Sequence, residues 1–415
     1  MAVSEATSAS AEAARELGAA VTELNPILAS VSLVSVRVIN LLRLEHKIPD
    51  PLPWSLLASP LAAAEDALAR LDERLAKSPI REAWIARTHF SDACATLWLD
   101  GELVHLEDLV LHDAHMDIRA PTHELTRAHA VLRTRRRIAS RDPEWPLSAA
   151  GLACLRGRGE KDESEEGWGN WNEEERDSEP DDAHLDPLLE TEADPHLAAA
   201  FAAVDAANAK AERTLATENS SWSERAGLIY DPDWDEEARL TEWSAVVEQT
   251  RKLPPTIAAA LAAEAWDSIA PLQHTPWLGR LLAAALLRAR AKTIWHLPCL
   301  YEGQKAIPRE RRRPRDVASR LAVQLEAMTA AAAAGLKDHD RWFNQRTLLA
   351  RKLAGRRATS KMPALLDYVL TRPIVSAGMI AEELGITPRA AQGLVAELGL
   401  REVTGRGRYR AWGIL

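Results

Sequence analysis

The side chains best suited to binding chemistry lie near the C-terminal end of this 415-residue chain. Arg389 and Gln392 carry groups that can pair with guanine and adenine edges through two hydrogen bonds each. Alternating arginines follow in the stretch Gly405-Arg406-Gly407-Arg408, and such arginines suit phosphates or the minor groove. The candidate contact residues are Thr387, Arg389, Gln392, Arg406, Arg408 and Arg410. These residue types and spacings predict binding to double-stranded DNA.

Three short helices and a hairpin must hold these side chains in place. Ser376 is a predicted helix cap, and Gly385 ends the helix that follows, because glycine takes a left-handed turn at low cost. Thr387-Pro388 begins the next helix, which Gly399 closes. The inward stripe of that helix comprises Ala391, Leu394, Val395 and Leu398. A helix, a helix-turn-helix and a basic hairpin in this order predict a winged helix over residues 361–415.

The use of such a winged helix is left open by the sequence. The outward face of its third helix is poor in polar residues, which suits protein contacts or dimerisation. The charge favours nucleic acid, since residues 305–415 hold 21 Lys and Arg against 10 Asp and Glu, a net charge of +11. The run Arg309–Arg315 is either a solvated loop or an auxiliary phosphate contact.

The overall net charge of −10 conceals the basic character of residues 305–415, because another segment of the chain is strongly acidic. Residues 160–194 contain 16 acidic and 2 basic residues, a net charge of −14. A segment of this composition cannot bury enough apolar surface to pack, which predicts a disordered acidic linker over 157–195. A DNA mimic that covers the basic region is the alternative.

The rest of the chain predicts a mainly α fold, an orthogonal helical bundle that ends in the winged helix with its small β-hairpin. Apolar residues make up 47% of the chain and aromatic residues 5%, with alanine dominant, and this composition favours helix. No apolar run approaches the roughly 18 residues of a membrane span. The predicted helices cover 59–77, 78–97, 105–114, 121–140, 196–216, 234–251, 255–270, 277–292, 315–335 and 338–354.

Composition and proline punctuation divide the chain into five predicted regions. They are an N-terminal helical region at 1–156, the acidic linker at 157–195, a helical core at 196–300, a basic helical connector at 301–360 and the winged helix at 361–415. The cysteines Cys94, Cys154 and Cys299 have no paired spacing, which fits a reducing cytoplasm better than disulfides or zinc. We therefore expect a cytoplasmic protein.

No metal site and no catalytic motif is complete in this sequence. Histidines and aspartates crowd residues 105–129, and His112 and His115 share one helix face. Residues 123–127 nevertheless lack the second histidine of a zinc-binding helix, so polar surface or core histidines are the stronger interpretation. No phosphate loop, dinucleotide-binding turn or nucleophile elbow occurs. We expect no cofactor and no metal.

Three segments resemble the Fic (filamentation-induced adenylyl transfer) family. Thr96–Gly101 is similar to the family's inhibitory-helix motif, with Asp100 where the family has glutamate. Residues 266–282 resemble its catalytic segment, and Gly279-Arg280-Leu281-Leu282 matches the end of that segment. Residues 297–301 follow at about the spacing of the family's next helix. The resemblance implies that residues 196–300 are the remnant of a Fic-like helical core.

The same resemblance implies that adenylyl transfer is lost. Ala270 replaces the histidine that activates the target hydroxyl, and Thr275-Pro276 replaces the Gly-Asn-Gly phosphate cradle, where proline removes an amide donor. The degenerate motif positions are Thr96, Asp100, Gly101, Ala270, His274, Gly279 and Arg280. The helical domain would then be a sensor or oligomerisation scaffold. An unorthodox AMP transferase that uses another base is the enzyme alternative.

The arrangement also resembles a bacterial family, often plasmid-associated, that pairs a helical domain of unknown function with a C-terminal helix-turn-helix. That resemblance covers nearly the whole chain and implies no established activity. We expect a non-catalytic transcriptional regulator that binds DNA as a homodimer and responds to a small-molecule or protein effector. The segments 315–335 and 338–354 are candidate dimer elements. A protein-interaction scaffold or toxin-antitoxin partner is the remaining alternative.

Overall fold

The protein is mainly helical, with one small sheet near its C-terminal end. A computed structural model describes residues 48–117, 120–157, 231, 234–353, 361–404 and 410–414. Among these, residues 48–156 and 237–414 pack as one compact unit. The prediction of a mainly α fold with a small C-terminal hairpin is confirmed. The predicted helix at 196–216 and almost all of the acidic segment lie outside the described residues.

Ten α-helices are described before the C-terminal segment. They are α1 Trp54–Ala76, α2 Arg81–Leu99, α3 Leu106–Asp113, α4 His123–Ser140, α5 Ala149–Leu155, α6 Glu236–Gln249, α7 Pro255–Ile269, α8 Leu278–Ala289, α9 Leu300–Ala306 and α10 Val317–Leu353. The long α10 packs along α1 and α9 and also touches α7, while α2 packs against α4 and α9. None of the helices in these ranges is long and apolar enough to cross a bilayer.

The predicted start of the first helix was wrong. The helix begins at Trp54 rather than at residue 59, and Pro60 lies inside it. Its buried stripe already begins at Leu57, which is fully buried and is followed at helical spacing by Ala64, Leu68 and Leu71. A proline inside a helix costs about 3 kcal/mol. Burial of Leu57 in the first turn therefore outweighs the backbone hydrogen bond that Pro60 cannot donate.

The two predicted helices at 315–335 and 338–354 are one continuous helix of 37 residues, α10. Gly335 lies next to the predicted break. It is a residue of the continuous helix, and it makes close contacts with α1 and α2. A β-carbon there would lie 2.9 Å from a methyl of Leu71 and 3.0 Å from the ring of Trp84. The indole N–H of Trp84 also donates to the Gly335 carbonyl at 3.0 Å. Glycine at this position therefore permits close packing of α10 on α1 and α2.

Gly303 permits a similar approach of α9 to α10. A β-carbon on Gly303 would lie 2.0 Å from the carbonyl oxygen of Ala327, which belongs to rigid helix backbone. We predict that Gly303→Ala lowers the free energy of unfolding by about 1–3 kcal/mol, because the two helices must separate. The matched control is Gly393→Ala, where a β-carbon meets nothing within 4 Å.

The control substitution should act in the opposite direction. Gly393 lies within a helix, so alanine at this position is expected to raise the free energy of unfolding by about 0.5–1 kcal/mol. Urea denaturation followed by circular dichroism measures both changes. Equal shifts for the two variants would contradict the assigned packing of α9 on α10.

The C-terminal segment combines three helices with a three-stranded sheet. Its elements are α11 Met362–Thr371, β1 Val375–Ser376, α12 Ala377–Leu384, α13 Pro388–Leu398, β2 Arg401–Glu402 and β3 Ala411–Gly413. The strand order is β1-β3-β2, and both pairings are antiparallel. Trp412 on β3 lies opposite Val375 and Glu402. The sheet therefore ties the residues after α13 to the turn before α12.

Candidate nucleic-acid interface

Local capping signals fix the ends of α12 and α13. The Ser376 hydroxyl accepts from the backbone N–H of Met379 at 3.2 Å, and the Thr387 hydroxyl accepts from that of Ala390 at 3.2 Å. Both helices end in left-handed glycines, Gly385 at φ +60° and Gly399 at φ +72°. These caps satisfy backbone groups that a helix end leaves without partners. The predicted starts and ends of both helices are confirmed.

The faces of α13 also follow the predicted pattern. Ala391, Val395 and Leu398 are buried, and Leu394 is half-buried against the core. Thr387, Arg389 and Gln392 are exposed along the N-terminal half of the helix. A side chain that contacts base edges must be exposed in the free protein, and these three side chains are exposed.

Arg410 is the described member of the predicted basic hairpin. Its guanidinium pairs with Glu402 on the neighbouring strand, with Nη2 2.6 Å from Oε2, and lies over the Trp412 ring at 5.5 Å. About half of the side chain, 51%, is exposed. Arg410 is therefore held against the sheet with part of its side chain exposed. Arg406 and Arg408 lie outside the described residues.

This C-terminal segment matches a known DNA-binding family model, and the body matches a second model. Residues 362–415 match the model described as "HTH DNA binding domain", and residues 228–354 match "Protein of unknown function (DUF1612)". The chain is 47% identical over 372 residues to "Uncharacterized protein y4cF" of Sinorhizobium fredii (strain NBRC 101917 / NGR234). The match covers 86% of this chain and 97% of that relative. The chain belongs to the y4cF family. The predicted pairing of a domain of unknown function with a C-terminal helix-turn-helix is confirmed.

A buried arginine holds the helix-turn-helix of this y4cF-family protein to its helical body, and sequence reasoning missed it. Arg87 on α2 donates to the carbonyls of Val369 at 3.3 Å, Arg372 at 2.7 Å and Ile414 at 3.0 Å. Its guanidinium also lies over the Trp342 ring at 4.7 Å. Burial lowers the pKa of Arg87 to about 10, so the group stays charged at neutral pH.

Two further charged contacts reinforce this attachment. The Asp113 carboxylate accepts from Arg136 at 2.6 Å and from Arg372 at 2.9 Å. Burial raises the pKa of Asp113, but His129, Arg136 and Arg372 outweigh that effect and hold it well below its usual range. The Lys352 ammonium near the end of α10 donates to the Leu398 carbonyl at 3.0 Å, where α13 ends. No sequence pattern shows these pairings, because each joins residues distant along the chain.

Two of the crowded histidines near α3, His112 and His129, contact carboxylates of neighbouring residues. His112 Nδ1 lies 2.8 Å from Asp117, and the His112 and His129 rings meet edge to face at 4.8 Å. His129 Nε2 lies 3.4 Å from Asp113. Within the described part of the chain, no three His, Cys, Asp or Glu side chains are grouped to hold a metal ion.

The positions near the end of α2 that resemble a Fic motif in sequence include a buried threonine and a paired aspartate. The Thr96 hydroxyl is buried and donates to the Asp92 carbonyl at 2.9 Å. Asp100 pairs with Arg127 at 3.2 Å, and Gly101 follows in a left-handed conformation at φ +91°. Burial raises the pKa of Asp100, an effect that the charges of Arg127 and Arg280 oppose.

The second group of these positions lies between α7 and α8. Ala270 ends α7 in a left-handed conformation at φ +48°, and His274 is exposed. Gly279 packs against the Trp266 ring so closely that a β-carbon would lie 2.2 Å from it. Arg280 pairs with Asp267 at 3.0 Å. Burial lowers the pKa of Arg280, but Asp267, Tyr301 and Asp100 together raise it above its ordinary value. The ion pairs at these two positions are therefore separate, Asp100 with Arg127 and Arg280 with Asp267.

Proposed function

We propose that the protein binds double-stranded DNA through a C-terminal winged helix-turn-helix and acts as a cytoplasmic transcriptional regulator. The observation that carries this proposal is the exposed N-terminal half of α13. It presents Arg389 and Gln392 beside the capping Thr387 within a segment that matches a DNA-binding model. In helix-turn-helix proteins this end of the second helix enters the major groove.

The proposed contact residues have distinct tasks. Arg389 and Gln392 would contact base edges, and Thr387 would contact a phosphate near the positive end of the helix. Arg406, Arg408 and Arg410 would contact phosphates or the minor groove from the wing. The antiparallel pairing of β2 with β3, and the position of Arg410 immediately before β3, support a wing between these strands.

We also propose that the helical body is a catalytically inactive, Fic-like scaffold. This proposal rests on the sequence resemblance to Fic motifs of the two segments that contain Asp100 and Arg280. Ala270 cannot act as a base, and Pro276 offers no amide to a phosphate. The body would sense an effector and carry the dimer contact, for which the half-exposed Phe343 and Leu348 on α10 are candidates.

Selection of DNA from a random-sequence pool by the full-length protein tests the proposed function. We expect an enriched site with two related halves, bound much more tightly than random DNA, with an affinity that falls steeply with salt. Failure to enrich any sequence, with only weak binding that ignores sequence, would contradict a regulator and favour the interaction-module alternative.

The base-reading assignment makes a separate prediction. Arg389→Ala and Gln392→Ala should each weaken binding to the selected site by roughly 5–150-fold, equivalent to about 1–3 kcal/mol. Affinity for random DNA should change little, because base contacts contribute little there. The control is Ala396→Ser on the C-terminal half of the same helix. Fluorescence anisotropy on both DNAs measures the difference, and equal losses on both would contradict base reading.

A further inference from the structure

A small cavity lies inside the helical body, apart from the proposed DNA-binding surface. Its volume is about 100 Å³, and residues of α1, α2, α9 and α10 line it together with the loop that precedes α9. The apolar part of the wall includes Leu68, Leu71 and Ala332, with the aromatic ring of Trp84. The polar part includes His296, Glu302 and Asp338. Two carboxylates and a histidine thus share one small lining with apolar side chains and with Thr88 and Ser91, whose hydroxyls donate to backbone carbonyls of their own helix.

His296 presents a hydrogen-bond acceptor without a partner. Its side chain is fully buried, and its Nδ1 lies 3.0 Å from Asp72 Oδ1. The Asp72 carboxylate also accepts the backbone N–H groups of Ile294 and Trp295, both at 3.0 Å, so it acts only as an acceptor. The proton of a neutral His296 must therefore reside on Nδ1. Nε2 is left as a lone pair that is buried and makes no hydrogen bond.

The histidine stays neutral in this environment. Burial lowers the pKa of His296, and the contact with Asp72 only partly opposes that effect. Asp72 remains ionised, because its hydrogen bonds to His296, Trp295 and Ile294 outweigh burial and lower its pKa. A buried acceptor without a donor is costly, so the cavity favours a ligand that brings N–H groups.

The two carboxylates add negative charge to the same lining. Each has a basic residue three positions further along its own helix, Lys305 at 4.0 Å from Glu302 and Arg341 at 3.1 Å from Asp338. Burial raises the pKa of Glu302 to about 7 and raises that of Asp338 as well. A cation inside the cavity would relieve both carboxylates.

We propose that this cavity binds a primary ammonium ion that carries a short apolar tail. The three N–H donors of an ammonium match the three acceptors His296 Nε2, Glu302 and Asp338. The tail would lie against the leucine side chains and the Trp84 ring. An apolar cavity of about 150 Å³ holds benzene, so the present volume suits a ligand of about four heavy atoms.

The cavity is electrostatically connected to the attachment of the helix-turn-helix. Asp338 pairs with Arg341 at 3.1 Å, and Arg341 and Arg87 both lie over the Trp342 ring, at 5.5 Å and 4.7 Å. The Asp338 carboxylate therefore attracts the arginine that holds three carbonyls of the C-terminal segment. An ammonium that neutralises Asp338 would weaken that attraction. A regulatory role for the ligand rests on the proposed DNA binding, whereas the ligand site itself does not.

Isothermal titration calorimetry of the full-length protein with n-propylammonium chloride tests the site. The titration is made at pH 8, where Glu302, with a pKa of about 7, is mostly ionised. A ligand of this size binds no tighter than roughly tens of micromolar, so we expect saturation in the millimolar range. Propionate and n-propanol have a similar size without the positive charge and should not bind. Absence of saturable propylammonium binding, or equal binding of n-propanol, would overturn the proposal.

Variants locate the binding within the cavity. Glu302→Gln and Asp338→Asn should each weaken propylammonium binding at least about tenfold. The matched control is Glu326→Gln, which removes a carboxylate that pairs with Arg311 on the surface of α10. Ala332→Leu should abolish binding by filling the space. Circular dichroism checks that the variants fold. If Glu302→Gln does not fold, the affinity of Asp338→Asn for propylammonium tests the site. Unchanged affinity in the folded cavity variants would overturn the site.

Fluorescence anisotropy with the selected DNA separately tests whether the cavity is coupled to DNA binding through Arg87. Saturating propylammonium should change the DNA affinity of the wild type at least about threefold and leave that of Asp338→Asn unchanged. Calorimetry uses no DNA, so failure of the ligand site and failure of DNA binding are distinguishable. Ammonium binding with unaltered DNA affinity would overturn the connection to Arg87.

Discussion

Replacement of Arg135 by methionine is expected to lower the free energy of unfolding by roughly 3–5 kcal/mol, because it leaves a buried carboxylate without its partner. Arg135 on α4 and Asp92 on α2 are both fully buried, with Nη1 2.6 Å from Oδ2. The guanidinium also donates to the carbonyl of Leu297 at 2.8 Å. Asp92 in turn accepts the backbone N–H of Glu302 at 3.0 Å, near the start of α9. One ion pair thus joins three helices and the loop before α9.

Urea denaturation of Arg135→Met measures this effect, with Arg70→Met as the matched control. Arg70 pairs with Asp66 on the surface of α1, so its loss should cost less than about 0.5 kcal/mol. The double variant Arg135→Met/Asp92→Leu should recover part of the lost stability, since it removes the uncompensated charge. A single-variant loss as small as that of Arg70→Met would contradict the assigned role of the pair.

Reversal of two charges on the proposed wing should have the largest effect on DNA binding. Arg406→Glu/Arg408→Glu replaces two proposed phosphate contacts by two repulsive charges, and we expect affinity to fall at least about 100-fold at low salt. The dependence of affinity on salt should flatten, because fewer counterions are released on binding. Anisotropy across a salt series measures both quantities.

The control for this prediction changes the net charge equally at other sites. Arg70→Glu/Arg251→Glu also reverses two exposed arginines, each of which pairs with an acid on its own segment. Its effect on DNA affinity should be small and should disappear at moderate salt. If both double variants lose the same affinity, the wing is not a specific contact and only the overall charge matters.

Much of the helix-turn-helix could be predicted because its signals are local. Ser376, Thr387, Gly385 and Gly399 each act on backbone groups within a few residues, so sequence order alone places them. The spacing of the apolar residues on α13 also fixes which side chains point outward. The exposed positions of Arg389 and Gln392 follow from these two facts.

Other features depended on contacts between distant residues and could not be predicted. The break expected near Gly335 is absent because that glycine meets Trp84, 251 residues away along the chain. Arg87 has no distinctive neighbours in sequence, and its three carbonyl partners lie 282 to 327 residues later. The cavity acceptor on His296 is visible only once Asp72 is known to hold its other nitrogen.

The attachment through Arg87 has a consequence for the spacing of DNA half-sites. A DNA-binding domain on a flexible tether could rotate to follow operators of different lengths. The helix-turn-helix of this protein is instead held to the helical body by Arg87, Asp113 and Lys352. In the proposed homodimer, the helical bodies would therefore set the angle between the two helix-turn-helix domains. Each added base pair turns one half-site by about 34° relative to the other. If the protein binds DNA as the proposed homodimer, operators that differ by a single inserted base pair are expected to fall out of phase with it.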